Sequence, residues 1–386
     1  MATTELTAPH ALATLPCALA GRCGGCPEHA QSLEQQRSDK RARLAALMHA
    51  NGIELPEQAR LETPAALAFR EHLDLRWEGE RLGLIGSESP SGPKVVIDMA
   101  SCPLAVPALN AWLAELRRHP LPVARASLRL RVAATGLRGL WIDCAHSDVK
   151  ALLDHPSYLP TLLGLTPTPV VELGPKARRV ALRDGRPALV EPTLEPWSQT
   201  FLGGEPAPLY TLVRAFSQPG ALPNRALVDA VTHAVLDTYA KRVLELGAGA
   251  GNLTLPLLAA GVFVRAVELD SAALARSADQ AGLSTKLEVH AASFERAEDI
   301  AVLVQGIDAV LADPPRQGLG RFIEALARLS RGMRPAQLVY VSCHPEALAK
   351  DGAGLAALGY RLAALTGVDQ FPWTAHAEWI ATFTRA

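Results

Sequence analysis

The chain has few aromatic residues and no strong charge of either sign. Only 5% of its 386 residues are Phe, Trp or Tyr, and its formal net charge is −1. A strongly basic chain would indicate a nucleic-acid-binding protein, so any such surface here must be a local patch. Because aromatic residues are scarce, Leu, Ala and Val must supply most of the hydrophobic core.

Long apolar runs are also missing. No stretch of about 18 apolar residues lacks Pro, Gly or a charged residue, so no membrane span is predicted. The N-terminus has neither the basic start nor the apolar run of a secretory signal. We therefore expect a cytoplasmic protein without a membrane partner. Its Cys residues should be thiols, metal ligands or nucleophiles and not structural disulfides.

The hydrophobic pattern predicts three segments, as expected for a chain too long for one core of typical size. Residues 1–60 combine a group of Cys residues with an amphipathic helix over Glu34–Gly52. Residues 61–205 should form a small β-rich domain that binds RNA. Residues 206–386 alternate strands with helices, which predicts a doubly wound α/β domain with a parallel sheet. Its predicted strands are Arg242–Leu246, Val262–Glu268, Lys286–His290, Ala309–Ala312, Gln337–Ser342 and Trp379–Phe383.

Positive charge is concentrated in the predicted β-rich segment. The window from Arg117 to Arg186 has 12 Lys and Arg residues against 5 Asp and Glu residues. One interpretation is a solvated strand surface. The other is a face that contacts phosphates, which supply most sequence-independent affinity for nucleic acids. Composition alone does not separate the two.

A glycine-rich loop follows the predicted strand Arg242–Leu246. Gly247 opens this loop, Asn252 ends it, and the glycines allow a tight turn and a close approach of a ligand to the backbone. Glu268 ends the next predicted strand, where a carboxylate can accept hydrogen bonds from ribose hydroxyls. Nicotinamide cofactors and S-adenosylmethionine both use this arrangement. The Gly-x-Gly-x-Gly spacing differs from the usual dinucleotide pattern, which favours S-adenosylmethionine.

Two further motifs follow strands of the same predicted sheet. Asp313 begins the run DPPR, and Cys343 follows the strand Gln337–Ser342. Both should face the ligand crevice at the carboxyl ends of the strands. Cys343 also precedes a predicted helix, whose N-terminus favours the reactive thiolate. Glu378 precedes the last strand, and its local context alone indicates a solvent-facing residue.

Three runs of residues resemble the successive motifs of one enzyme family. DPPRQGL from Asp313, VSCHP from Val341 and FPWTAHAE from Phe371 resemble those of the RNA uracil-5-methyltransferases, and the resemblance extends from Cys17 to the end. It implies a Rossmann-like class I methyltransferase domain that methylates carbon 5 of uracil in RNA. Carbon 5 is a poor nucleophile, so a thiolate must first add to carbon 6, and a base must later remove the carbon 5 proton.

The resemblance also implies roles for single residues. Cys343 is the expected nucleophile and Glu378 the expected base, acting on a flipped-out uracil. The expected cofactor contacts are Gln218, Gly247, Asn252, Glu268 and Asp313. Ribosomal 23S RNA is the expected substrate, with no obligate protein partner. The transfer RNA enzyme of the family is the alternative.

The N-terminal Cys residues resemble the iron–sulfur motif of the ribosomal RNA enzymes. Cys17, Cys23 and Cys26 lie within ten residues, and Cys102 stands where the resemblance places a fourth ligand. This implies a [4Fe–4S] cluster, although four thiolates also suit structural zinc. Cys144 is a less favoured fourth ligand. Only 16 residues precede Cys17, so the extra N-terminal β-barrel of some ribosomal enzymes is not expected.

Two functions of other kinds stay open at this point. An amino-group methyltransferase would need neither Cys343 nor Glu378. A non-catalytic iron–sulfur RNA-binding protein would carry only a relict cofactor site.

Overall fold

A computed structural model describes residues 12–56, 59–89, 91–293 and 300–385. The first eleven residues, where we expect no secretory signal, lie outside the described residues. The chain forms two compact units: the first is Met1–Ser32, Ala65–Ser198 and Tyr210–Ala221, and the second is Leu33–Pro64, Gln199–Leu209 and Leu222–Ala386. The division into 1–60, 61–205 and 206–386 stays a prediction. The second unit contains the segment of the predicted helix Glu34–Gly52 together with most of the predicted α/β domain.

The described residues form the following helices and strands. The helices are α1 (Leu33–Ala50), α2 (Pro107–Arg117), α3 (His146–Asp154), α4 (Tyr158–Leu163), α5 (Ala221–Leu236), α6 (Thr254–Ala259), α7 (Ser271–Gln280), α8 (Ile300–Leu303), α9 (Gly320–Arg328) and α10 (Pro345–Ala357). The first strands are β1 (Arg60–Glu62), β2 (His72–Glu78), β3 (Arg81–Ser87), β4 (Lys94–Asp98), β5 (Arg125–Val132), β6 (Arg138–Asp143), β7 (Val170–Leu173), β8 (Arg178–Arg183) and β9 (Arg186–Val190). The remaining strands are β10 (Glu195–Leu202), β11 (Glu205–Thr211), β12 (Arg242–Leu246), β13 (Phe263–Val267), β14 (Leu287–His290), β15 (Ala309–Ala312), β16 (Gln337–Ser342), β17 (Tyr360–Val368) and β18 (Glu378–Arg385).

The first unit is built on a mixed sheet, which confirms the expected β-rich part of the fold. Its strand order is β4-β3-β2-β5-β6-β7-β8-β9. Neighbouring strands are antiparallel except β6 and β7, which are parallel and are joined through α3 and α4. In β2 the side chains of Leu73, Leu75 and Trp77 alternate with polar ones, so one face of the strand packs on the core.

Much of the surplus positive charge of the first unit is paired within it. Six arginines of the window Arg117–Arg186 form ion pairs with carboxylates that lie outside that window. The pairs are Arg117–Asp98, Arg118–Glu115, Arg125–Glu78, Arg129–Asp74, Arg178–Glu191 and Arg179–Glu195. Arg183 and Arg186 are exposed at the turn between β8 and β9. Any phosphate-contacting face is therefore smaller than the composition suggests.

The second unit contains the expected doubly wound α/β sheet. Its strand order is β1-β17-β18-β16-β15-β12-β13-β14, and β14, β13, β12, β15 and β16 are parallel. β18 lies antiparallel between β16 and β17. From β12 the chain continues to β13 on one side and later returns to β15 on the other. Ligands bind outside the carboxyl ends of the strands at such a switch point.

The hydrophobic core of the second unit is mostly aliphatic, as the composition predicts. Leu, Ala, Val and Ile side chains supply most of it, among them residues of β12, β15, β16, α9 and α10, and α1 adds Leu44 and Met48. The large ring of Trp379 also lies in this core and is 2% exposed. Of the helices in the described parts of the chain, none combines the length and the apolar character needed to cross a membrane.

Candidate active site

The glycine loop begins directly after β12, at the switch point of the sheet. Gly247, Gly249 and Gly251 have φ angles of +78°, +56° and +96°, in the left-handed region that favours glycine. A Cβ atom at Gly251 would lie 3.0 Å from Cδ1 of Leu274. The backbone N–H of Gly249 donates to Oε2 of Glu268 at 2.8 Å. The predicted loop and the predicted acid are thus in direct contact.

Asn252 holds the glycine loop against the start of α5. Its side-chain amide forms two reciprocal hydrogen bonds of 2.8 Å with the amide of Asn224, which is 3% exposed. The hydroxyl of Thr200 donates to the backbone carbonyl of Asn252 at 2.6 Å. The sequence gives no sign of Asn224, because no motif marks it and its partner is 28 residues away.

The parallel register places Asp313 and Cys343 at the same edge as the glycine loop. Ala312 pairs with Leu246 on one side and with Tyr340 on the other. Asp313 therefore leaves β15 beside the start of the glycine loop, and Cys343 follows the end of β16. The backbone N–H of Asp313 contacts the carbonyl oxygen of Leu246 at 3.4 Å.

Glu378 reaches this edge from the opposite direction. β18 is antiparallel to β16, and Ser342 pairs with Trp379. The next two positions opposite each other in this register are therefore those of Cys343 and Glu378. Glu378 is 6% exposed, so a solvent-facing position is wrong. Within the described parts of the chain, its Oε2 atom has no hydrogen-bond partner. Such an orphaned acceptor in a buried site is available to a ligand.

The three reactive groups influence each other's charge. Burial, with a further contribution from Asp313, raises the pKa of Glu378 to about 8, while Arg316 opposes this. Burial also raises the pKa of Asp313 to about 7. Burial and the carboxylates of Glu378 and Asp313 raise the pKa of the Cys343 thiol to about 11, with Arg316 again opposing. The expected lowering of the thiol pKa by the helix N-terminus is wrong, because desolvation and two acidic neighbours outweigh it.

A fourth acid lies beneath the glycine loop. Glu245 of β12 is 2% exposed, and burial together with Asp313 and Glu268 raises its pKa to about 8. The edge of the sheet therefore concentrates carboxyl groups that hold protons near neutral pH. A cationic ligand would stabilise their charged forms, whereas an anionic pyrophosphate would favour their protonated forms.

Asp351 of α10 supports the loop that follows Asp313. It accepts hydrogen bonds from the backbone N–H of Leu319 at 2.6 Å and from the Tyr340 hydroxyl at 2.8 Å. Gly318 has a φ angle of +81°, and a Cβ atom there would lie 2.3 Å from Oδ2 of Asp351. Only glycine allows this approach. The sequence pattern did not identify Asp351.

Gln218, the remaining expected cofactor contact, belongs to the first unit, where it is half-buried. Its role stays a prediction. Cys343, Glu378 and Asp313, in contrast, interact with one another beside the loop of Gly247.

Cys17, Cys23, Cys26 and Cys102 line one cavity of about 180 Å³ in the first unit. Burial raises the pKa of Cys26 to about 12, and the nearby Cys102 and Cys23 add to this effect. Buried and half-buried thiols grouped in this way require a cation before several of them can ionise. However, among the residues that the structure describes, no group of three or more His, Cys, Asp or Glu side chains has the geometry of a metal site.

The backbone of the Cys motif packs closely on β3. Cys23 forms a β-bridge with Gly86. A Cβ atom at Gly24 would lie 2.4 Å from the carbonyl oxygen of Ile85, and one at Gly25 would lie 2.9 Å from Cδ1 of Leu84. The two glycines therefore let the motif reach the cavity. Cys144 is half-buried and is not one of the residues that line this cavity.

Comparison with known proteins agrees with this site. Residues 208–385 match the family model described as tRNA (Uracil-5-)-methyltransferase. An uncharacterized RNA methyltransferase of Bdellovibrio bacteriovorus is 34% identical, over 97% of this chain and 96% of that protein. The chain belongs to the RNA uracil-5-methyltransferase family. Another relative, a 23S rRNA (uracil(1939)-C(5))-methyltransferase of Aromatoleum aromaticum, is 30% identical over 96% of this chain and 85% of that protein.

A solved structure confirms the fold expected of this family. The tRNA (uracil-54, C5)-methyltransferase of Pyrococcus abyssi, in complex with S-adenosyl-L-homocysteine, has a TM-score of 0.67. The match covers 95% of this chain and 86% of that chain at 19% identity. The class I methyltransferase fold is therefore confirmed.

Proposed function

We propose that this protein transfers a methyl group from S-adenosylmethionine to carbon 5 of a uracil in 23S ribosomal RNA. The observation that carries the proposal is the proximity of Cys343, Glu378 and Asp313 to one another beside the glycine loop. The relative from Aromatoleum aromaticum, which is named as a 23S rRNA methyltransferase, supports ribosomal RNA as the substrate. We place the reaction in the cytoplasm, where ribosomal RNA is modified.

The proposed chemistry uses two groups of the chain in sequence. The thiolate of Cys343 forms a bond to carbon 6, and the π electrons of the 5,6 double bond move towards the carbon 4 carbonyl. Carbon 5 would then form a bond to the methyl group while the bond between that methyl group and the sulfonium sulfur of S-adenosylmethionine breaks, which leaves S-adenosylhomocysteine as the neutral thioether. Glu378 removes the carbon 5 proton, the double bond re-forms, and the bond between Sγ and carbon 6 breaks. A carboxyl group with a pKa of about 8 is a suitable base near neutral pH.

The acidic edge of the sheet supports S-adenosylmethionine as the methyl donor. S-adenosylmethionine supplies a methyl group on a sulfonium cation and also carries an ammonium group. Glu245, Glu268 and Asp313 place carboxyl groups in this region, and a sulfonium or ammonium group beside them would stabilise their charged forms. We propose Gly247, Asn252 and Glu268 as contacts to the donor, with Asp313 near the reacting atoms. Gln218 remains a predicted cofactor contact.

We further propose that Cys17, Cys23, Cys26 and Cys102 hold a [4Fe–4S] cluster, with zinc as the alternative. Their shared cavity and the raised pKa values of Cys23, Cys26 and Cys102 support a site for a cationic group. Its role would be structural or would position RNA, because no part of the proposed chemistry transfers electrons. Iron, acid-labile sulfide and zinc contents of anaerobically purified protein distinguish the two metals.

Mapping of 5-methyluridine in RNA from a strain that lacks the gene tests the substrate. Loss of one methyl group from 23S ribosomal RNA is the expected result. Loss from transfer RNA instead would select the transfer RNA alternative. If all 5-methyluridines remain, the proposed activity is refuted. A protein that binds RNA but not S-adenosylmethionine would be the non-catalytic alternative.

Two variants test the roles of the catalytic residues. Cys343→Ala should abolish methylation, whereas Cys144→Ala, a matched control outside the site, should retain it. Glu378→Gln should accumulate a covalent protein–RNA adduct, because Cys343 still adds to carbon 6 while the carbon 5 proton is no longer removed. The adduct is detected as a slow band on a denaturing gel. Methylation by Cys343→Ala would favour an amino-group methyltransferase.

A further inference from the structure

The loop that joins β17 to β18 is partly buried. It contains residues 369–377 and leads directly into Glu378. Asp369 and Trp373 are each 0% exposed, and Ala377 is 2% exposed. Polar backbone groups of the buried residues in this loop need partners within the protein, because water does not reach them.

Two polar side chains of α1 supply these partners. Nζ of Lys40 donates to Oδ2 of Asp369 at 2.8 Å and to the carbonyl oxygen of Phe371 at 3.3 Å. Oε1 of Gln36 accepts a 2.7 Å hydrogen bond from the backbone N–H of Trp373. Lys40 is 5% exposed and Gln36 is 0% exposed. They lie one turn apart on the face of α1 that is otherwise hydrophobic.

Asp369 lies at the loop end of the β17–β18 hairpin, where it is the first residue of the loop. The last pair of that ladder is Val368 with Glu378, and Asp369 follows immediately. The backbone N–H of Asp369 donates to the carbonyl oxygen of Glu62 at 2.6 Å. Its Oδ1 accepts from the backbone N–H of Phe371 at 3.1 Å. Lys40 therefore secures the hairpin at the pair that contains Glu378.

Stability does not account for this arrangement. Two charges removed from water lose hydration, and their attraction offsets that loss only in part, so a well-packed apolar pair is often at least as stable. Trp373 also adopts a φ of +69°, an unfavourable conformation for a bulky residue. A buried ion pair and a strained backbone next to a reactive residue are typical of a site in which geometry is fixed at the expense of stability.

We propose that Lys40 and Gln36 are positioning residues that hold the β17–β18 loop so that the carboxylate of Glu378 faces the sulfur of Cys343. The proposal rests on the proposed function for the role of Glu378 as base. It assigns α1, which follows the Cys motif in the chain, a part in the catalytic step.

The double variant Lys40→Met/Asp369→Asn tests the proposal. It removes both charges together, and the Asn oxygen can still accept from the N–H of Phe371. Arg41→Met is the matched control, because it removes one charge from an exposed position of the same helix. We expect a fall in kcat of about a hundred-fold in the double variant, the size of effect that a displacement of about 1 Å produces, with little change in KM. Adduct with RNA should accumulate, since only the later step is slowed.

A second measurement needs no RNA. The pH dependence of Cys343 alkylation reports the charges that face this thiol, namely Glu378, Asp313 and Arg316. In the double variant the thiol pKa should fall towards that of Glu378→Gln, while Arg41→Met should match the wild type. If the wild-type protein methylates no RNA, the proposed function fails, and this measurement still decides whether Lys40 positions Glu378.

Circular dichroism checks whether the double variant folds. If it does not, Gln36→Met provides an independent variant. It should show the same fall in kcat, accumulation of adduct and shift of the thiol pKa. A folded variant of either kind with wild-type kcat and an unchanged thiol pKa overturns the proposal. So does a fall in kcat without adduct, since that result places the defect before addition of the thiol.

Discussion

The charge of Glu378 should control the acidity of the Cys343 thiol, and Glu378→Gln tests this directly. In the folded protein, burial and the carboxylates of Glu378 and Asp313 raise the thiol pKa to about 11. Glu378 has a pKa of about 8, so it is already ionised where the thiol titrates. Replacing it by a neutral amide removes a negative charge that disfavours the thiolate. The thiol pKa should therefore fall.

The size of the effect follows from the strand register. Residues opposite each other on antiparallel strands have Cβ atoms about 5 Å apart. Two charges about 6 Å apart at an effective dielectric constant of about 20 repel by about 3 kcal/mol. This corresponds to a pKa change of about 2, and partial exposure of Cys343 reduces it. We expect the thiol pKa of Glu378→Gln to lie between about 9 and 10.

Alkylation by iodoacetamide at a series of pH values, followed by mass spectrometry of the peptide that contains Cys343, measures this pKa. Glu346→Gln is the control, because Glu346 is close in the chain but exposed on α10 and paired with Arg43. It should leave the thiol pKa nearly unchanged. An equal fall in both variants would indicate a general change in charge, and no fall in Glu378→Gln would show that its carboxylate does not face the thiol.

Two further predictions concern stability. Folding raises the pKa of Glu378 from 4.5 to about 8. The stabilising contribution of this group is therefore complete below pH 4.5 and is lost as the pH rises to 8. Between pH 4.5 and 8.5, the free energy of unfolding of Glu378→Gln should therefore increase by up to about 4 kcal/mol relative to that of the wild type. Urea unfolding at both pH values checks this, and a gain independent of pH would contradict it. Gly318→Ala should lower the free energy of unfolding by about 1–3 kcal/mol, because its Cβ would meet Asp351 at a positive φ. Gly320→Ala is the control, since a Cβ there meets no atom within 4 Å, and equal losses in thermal unfolding would refute the steric explanation.

The sequence by itself determined the motifs of the second unit and six of the eight strands in its main sheet, but not β1 or β17. The predicted strands Arg242–Leu246, Ala309–Ala312 and Gln337–Ser342 have the bounds of β12, β15 and β16. The predicted helix Glu34–Gly52 corresponds to α1 within two residues. These features are local, because hydrophobic periodicity and glycine turns depend on neighbouring residues. The glycine loop follows a strand of the predicted parallel sheet. This was enough to place the ligand crevice at the carboxyl ends of the strands.

Only the tertiary structure decided the surroundings of the reactive groups. The antiparallel insertion of β18 next to β16 buries Glu378 beside Cys343 and reverses the expected effect on the thiol. In the sequence, Lys40 resembles its exposed neighbour Arg41, yet it pairs with Asp369 329 residues away. Burial and charge pairing depend on contacts between distant segments. No local pattern carries that information, so it becomes available only when the chain has folded.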